Sequence, residues 1–324
     1  MNKLRIAFFG APTFAARVLE QIINDKNLPV ELVFVVTQPD KKAGRKQILT
    51  PTPVKLLAQK NNIEVFDDFR LSTLNFRLKE IDLVLLYAYG EILPADIIKM
   101  PKWGFWNIHP SLLPKYRGTS PIAYALLMGD KTTGVSLMQM DERMDHGPII
   151  KQREYEILSE DSREILENKL SDIGYELFKE SVQDLIDGKL EKHEQNHTDR
   201  TFTRLLTKQD GFFPFALVQN IVTGVPLENE VVPKIITDYY VKNHLPVPNY
   251  ELCATHYALF KALAPWPGLW TLLPDGRRLK ITGMELRTTN YALRTVITLV
   301  QLEGKKETDL TTFIAGHPGI FAPL

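Results

Sequence analysis

Three runs of the chain, LRIAFF at 4–9, VELVFVV at 30–36 and IDLVLLYA at 81–88, are too apolar to keep one face in water. Strands of that kind must be covered on both sides, and the stretches of helical spacing between them supply the cover. The chain is thereby constrained to an α/β fold around a mostly parallel, Rossmann-like sheet. Helical spacing is read in TFAARVLEQIINDK after the first run, from Pro53 to Asn61, around 71–80 and over SPIAYALLM. IEVF at 63–66, GFWNIH at 104–109, TGVSLMQM and IIKQREYEI read as further strands. A long amphipathic run from Ser162 to Asp187 closes a first domain at 1–190.

With 324 residues, 44% of them hydrophobic, the chain is long enough for two cores. KHEQNHTDRT lacks apolar periodicity, so 191–205 reads as a linker. Beyond it GLWTLL, RLKITGMEL and LRTVITLVQL indicate a smaller β-rich domain over 206–324, preceded by a helix through YELCATHYALFKAL. The 39 basic residues balance the 39 acidic ones, so any nucleic-acid footprint must be local. The one cysteine, Cys253, excludes an internal disulfide, reads as a packed thiol and fits a reducing compartment. MNKLRIAFFG has too short an apolar run for a secretory leader, and no segment reaches the roughly 20 apolar residues of a bilayer span. A cytoplasmic protein without membrane contact is expected.

Chemistry is concentrated in NIHPSLLPKYRG at 107–118. In an extended strand Asn107 and His109 face the same way, so two hydrogen-bond donors converge on one spot. Asp145, in MDERMDHGPI, follows a strand and is expected near the C-terminal edge of the sheet, where open α/β folds place ligands. Together the three suit holding a carbonyl oxygen and managing one proton; Asn107 and His109 equally suit satisfying backbone groups at a strand end.

Residues 37–55, TQPDKKAGRKQILTPTPVK, carry Lys41, Lys42, Arg45, Lys46 and Lys55 against Asp40 alone. Their prolines and glycine predict a long irregular loop, either a phosphate contact or a solvated surface. GAPTFA lacks the glycines of a dinucleotide turn, and His146 has no companion ligands, so neither a nucleotide cofactor nor a metal is expected. His193, His197, His244, His256 and His317 read as surface or packing residues.

The N-x-H followed by SLLPKYRG, with the D-x-G of MDERMDHGPI, resembles the signature of the formyltransferases that use 10-formyltetrahydrofolate. TQPDKKAGR with TPTPVK, and PWPGLWT at 265–271 before the β-rich tail, resemble the methionyl-tRNA formyltransferase branch, whose C-terminal domain is OB-like. The resemblance implies an enzyme in which Asn107 and His109 polarise the formyl oxygen while Asp145 orients His109 and relays the amine proton. It implies a folate wall of Ser111, Leu112, Leu113 and Pro114 with Tyr89 and Gly90. It further implies that Lys41, Lys42, Arg45 and Lys46 contact the acceptor end of initiator methionyl-tRNA.

In that reading 10-formyltetrahydrofolate is a consumed co-substrate, nothing is tightly bound and the protein is a monomer. Arg277, Arg278 and Lys280 in DGRRLKI form a second basic cluster, facing tRNA or solvent. A sugar-nucleotide N-formyltransferase, a formyltetrahydrofolate hydrolase and a non-catalytic RNA-binding module are the rival readings; the basic loop argues against the first two and the Asn-His-Asp set against the third. The sequence departs from the family at Arg143, commonly glycine, and His146, commonly threonine. It also carries an extra segment near 212–250.

Overall fold

A computed structural model describes residues 3–43, 47–68, 72–224, 232–246, 256–289 and 292–322. It divides into two compact units. The first comprises 1–121, 132–157 and 164–201; the second comprises 122–131, 158–163 and 202–324.

The first unit is built on a seven-stranded sheet. Its strands are β1 (Leu4–Gly10), β2 (Val30–Val36), β5 (Glu64–Phe66), β6 (Leu83–Tyr87), β7 (Phe105–His109), β8 (Thr132–Gln139) and β9 (Ile149–Glu156). They lie in the order β5-β2-β1-β6-β7-β8-β9. The first five in that order, β5 to β7, are parallel; β8 is antiparallel to β7, and β9 is antiparallel to β8. As the apolar runs require, β6 and β7 are buried at every residue, whereas the edge strand β9 alternates between covered and wet positions. Helix α1 (Thr13–Asn24) buries Ala15, Val18, Leu19 and Ile22, the stripe its spacing predicts.

Helix α6 (Arg163–Ile186) packs behind the strand that carries the candidate site. A Cβ at Gly174 would lie 2.6 Å from Ile108 Cγ2, so glycine is needed for this approach. Because strand side chains alternate, seating Ile108 on α6 turns Asn107 and His109 to the opposite face. The helix is also tied to α1: Arg17 donates to both carboxylate oxygens of Asp172 at 2.6 and 2.8 Å. Asp25 accepts from Tyr175 Oη at 2.6 Å and Lys179 Nζ at 2.7 Å.

One sequence expectation is overturned here. Residues 37–55 are not an irregular loop: β3 (Lys41–Ala43) and β4 (Ile48–Thr50) pair antiparallel, and Thr37 and Thr52 close the base through hydroxyls 2.7 Å apart. The prolines flank the two strands instead of interrupting them, so nothing prevents the ladder. Residues 191–205, expected as a linker, make defined contacts. His193 bridges to Ile149 in both directions at 2.8 Å, Gln195 is only 5% exposed, and Arg117 N–H donates to the Thr201 carbonyl at 2.8 Å. Polar side chains held inside by hydrogen bonds lack apolar periodicity, and so read like a linker.

The second unit contains a four-stranded antiparallel sheet, β10 (Leu269–Leu272), β11 (Arg278–Thr289), β12 (Ala292–Leu302) and β13 (Glu307–Asp309), in sequential order. The extra segment near 212–250 contributes helices at Phe215–Thr223 and Lys234–Lys242. Cys253 lies outside the described residues.

Candidate active site

Asn107 and His109, adjacent positions on one face of β7, are 8% and 4% exposed. Asp145 reaches both: its Oδ1 accepts from Asn107 Nδ2 at 3.3 Å and lies 3.6 Å from His109 Nδ1. The carboxylate's other oxygen, Oδ2, accepts the Gly118 N–H at 2.7 Å. His109 Nε2 is 3.0 Å from the Tyr116 carbonyl, which only accepts, so this nitrogen carries a hydrogen and donates. At 3.6 Å the Nδ1 position is beyond hydrogen-bond range of the carboxylate, leaving it free to engage an oxygen placed between them. One N–H of the Asn107 amide is likewise directed at Asp145 while the other remains for a ligand.

Asp145 does not arrive by the expected route. Strand β8 is antiparallel to β7, with Gln139 opposite Trp106, so it ends at the edge of the sheet away from His109. The following loop folds back along β7. It does so through a left-handed Asp145, φ 48°, and through Gly147, where a Cβ would lie 2.1 Å from the Gln139 carbonyl oxygen. A cleft of about 340 Å³ lies at that far end, lined by Gly104, Gln139, Met140 and Asp141 among others.

Two residues that the sequence reading missed hold this loop. Gln195 Nε2 donates to the carbonyls of Asp145 at 3.0 Å and Gly147 at 2.7 Å. Its Oε1 accepts from Arg117 Nε at 3.2 Å and Nη2 at 2.5 Å. Arg117 is buried, 2% exposed; desolvation pulls its guanidinium below the ordinary range and the Asp145 charge opposes this. Arg117 Nη2 also donates to His197 Nδ1 at 2.8 Å. His197 is thus part of the site's frame, not a plain surface residue: its ring stacks on His146 at 4.1 Å and 9°. Desolvation, then His146 and Arg117, lower its pKa. His146 Nδ1 donates to Asp141 Oδ2 at 2.7 Å, so its side chain braces the loop; Asp141 Oδ1 accepts the backbone N–H of Arg143 at 2.9 Å, a bond that glycine there would also make. Only the SLLPKYRG motif offered a signal for Arg117; Gln195 had none.

The SLLP segment lies beside β8. Ser111 Oγ donates to the Lys115 carbonyl at 2.6 Å, and Ser136 Oγ donates to the Ser111 carbonyl at 2.6 Å while accepting the Leu113 N–H at 3.0 Å. Leu113 is buried, and half-buried Leu112 lies over Gly134. Pro114 is half-buried and follows a cis peptide. Tyr89, also expected in the wall, is 1% exposed and stands edge-on to Phe9 at 5.4 Å in the apolar core cluster. What this stretch presents is backbone at exposed Gly90, φ 81°.

Lys41 and Lys42 are exposed on the hairpin beside Ile48 and Leu49, each 61% exposed. Lys55 is not part of that footprint, since its Nζ is 2.7 Å from Asp40 and 3.0 Å from Asp67. Arg45 and Lys46 lie outside the described residues. In the second unit Arg277 pairs with Asp275 at 2.6 Å and the Arg278 guanidinium lies 5.1 Å over the Trp270 ring, which leaves Lys280 as the cluster's third member.

An amide, an imidazole and a carboxylate converge on one face of a mostly parallel sheet, and the sequence profile of the formyl transferase family matches residues 4–182. The chain belongs to the formyl transferase family and is a transferase enzyme. Along nearly its whole length it is similar to the methionyl-tRNA formyltransferase of Bacillus cereus strain B4264, 32% identical over 338 aligned positions that cover 97% of this chain and 96% of the relative. Among solved structures it shares its fold with a 4-N formyltransferase from Francisella tularensis, TM-score 0.57 at 18% identity, covering 86% of this chain and 96% of that one. It also shares it with an N-formyltransferase from Helicobacter canadensis in complex with folinic acid and dTDP-3-aminofucose, TM-score 0.56 at 19% identity, covering 89% of each.

Proposed function

We propose that this chain transfers the formyl group of 10-formyltetrahydrofolate to the α-amine of initiator methionyl-tRNA, as a cytoplasmic monomer that consumes the folate as a co-substrate. The convergence of Asn107, His109 and Asp145, in a chain similar over 97% of its length to methionyl-tRNA formyltransferases, supports this reading. The amine nitrogen bonds to the formyl carbon, and the carbon–N10 bond breaks. The free Asn107 N–H donates to the formyl oxygen as it gains negative charge, and His109, with Nε2–H already committed to the Tyr116 carbonyl, adds an Nδ1–H donor in its doubly protonated, imidazolium form. Asp145, already holding the Gly118 N–H, keeps His109 turned toward that oxygen and accepts the proton lost by the amine, which passes to N10. Ser111, Leu112, Leu113 and Pro114, with the backbone of Gly90, form the folate wall in this proposal, and Lys41, Lys42, Arg45 and Lys46 contact the acceptor end.

The test is to incubate the protein with formyl-labelled 10-formyltetrahydrofolate and charged initiator tRNA. Label on the aminoacyl group is the expected result. Free formate would support a hydrolase instead, and label on an amino sugar nucleotide but not on tRNA would support a sugar formyltransferase.

A further inference from the structure

We propose that Gln195 is a positioning residue for formyl transfer: its side-chain amide, held by Arg117, fixes the turn that aims the Asp145 carboxylate at Asn107 and His109. This rests on the reading of the three as the transfer site. One NH2 group donates to the carbonyls of both Asp145 and Gly147, and so spans the turn. That turn needs holding, because Asp145 is in the left-handed region, which costs a residue with a side chain. The other end of the amide is equally committed, its oxygen accepting two N–H groups of a buried guanidinium. Gln195 therefore cannot rotate without breaking four hydrogen bonds in a buried site.

Arg117 gives this clamp its leverage. It sits between the two residues whose backbone defines the rest of the site: the Tyr116 carbonyl accepts from His109, and the Gly118 N–H donates to Asp145. That tripeptide is itself anchored, with Tyr116 N–H on Thr201 Oγ1 at 2.9 Å and Arg117 N–H on the Thr201 carbonyl at 2.8 Å. Residues 195–201 thus hold both partners of the His109–Asp145 pair from outside the strand and loop that carry them. The four hydrogen bonds of Gln195 go to Arg117 and to the carbonyls of Asp145 and Gly147, not to the side chains of Asn107 or His109, so it acts through the loop that carries Asp145.

Gln195→Glu separates this role from a merely structural one. Glutamate keeps the acceptor for Arg117 but removes both hydrogens offered to the carbonyls of Asp145 and Gly147. If Gln195 only satisfies Arg117, the variant behaves as wild type. If it positions Asp145, kcat falls roughly 10- to 30-fold with KM for folate and tRNA within about twofold, the loss expected for two buried hydrogen bonds.

The effect must also vanish in the Asp145→Asn background: there Gln195→Glu adds less than about twofold to the residual rate. An undiminished kcat, a change confined to KM, or multiplicative losses in the double variant would each overturn the proposal. A crystal structure of Gln195→Glu supplies a readout independent of activity, with the Asp145 carboxylate displaced from His109 as expected, or unmoved against it. Absence of formyl transfer by the wild type would instead refute the parent reading.

Discussion

His109 Nδ1 and Asp145 Oδ1 stand 3.6 Å apart, close enough to act on one ligand atom and too far to satisfy each other. The imidazole is anchored through Nε2 on the Tyr116 carbonyl and the carboxylate through the Gly118 N–H. The gap between them is therefore held by the framework, and donors set before substrate arrives need no reorganisation as charge develops.

Asn107→Ala and His109→Ala are each expected to lower kcat about 100-fold or more. Circular dichroism and thermal melting should show a folded protein, since neither residue belongs to the apolar core behind β7. A variant with near wild-type kcat would remove that residue from the mechanism.

Gly147→Ala tests whether the loop's path matters. The new methyl would fall 2.1 Å from the Gln139 carbonyl oxygen, a backbone atom that cannot swing aside. The loop must shift, and kcat should fall at least about tenfold, because sub-ångström misplacement of a catalytic group is costly. Wild-type turnover by this variant would show that Asp145 tolerates displacement.

On the hairpin, Lys41→Ala and Lys42→Ala should each weaken tRNA binding and reduce the slope of log Kd against log salt by about 1. Lys55→Ala should leave that slope unchanged, because Asp40 and then Asp67 already hold its ammonium and raise its pKa. Filter binding across a salt series decides this; a slope that responds to Lys55 alone would reverse the assignment.

Acid should loosen the α1–α6 contact. Lys179, then Tyr175 and the Asn27 N–H, hold the Asp25 carboxyl well below the usual carboxylate range. With a folded pKa depressed from an unfolded value of about 3.9, its stabilisation is present above that pH and is lost as pH falls through the folded value. Asp25→Asn should lower the melting temperature at pH 7, and the gap from wild type should narrow as pH drops below about 4. A gap independent of pH would show that the charge contributes nothing.

Much of this was legible in the residues. The apolar runs of β1, β2 and β6 could be satisfied only inside a covered sheet, and strand alternation alone placed Asn107 and His109 on one face. The basic hairpin was misread because local breakers say where a chain turns and do not say whether its flanking residues pair, as Lys42 and Leu49 do. Lys55 was counted as free charge because its partner Asp67 comes from another element.

The amino-acid order determined which chemistry is present: two donors in register on a buried strand, a carboxylate ahead of a glycine, and a basic stretch after a buried strand. Only the tertiary structure decided how they meet. Strand β8 reverses direction, so Asp145 returns along β7 through a left-handed turn. The amide that holds that turn comes from a polar segment without periodicity. Hydrogen bonds between distant side chains leave no repeating signature in the sequence, whereas burial of apolar surface does.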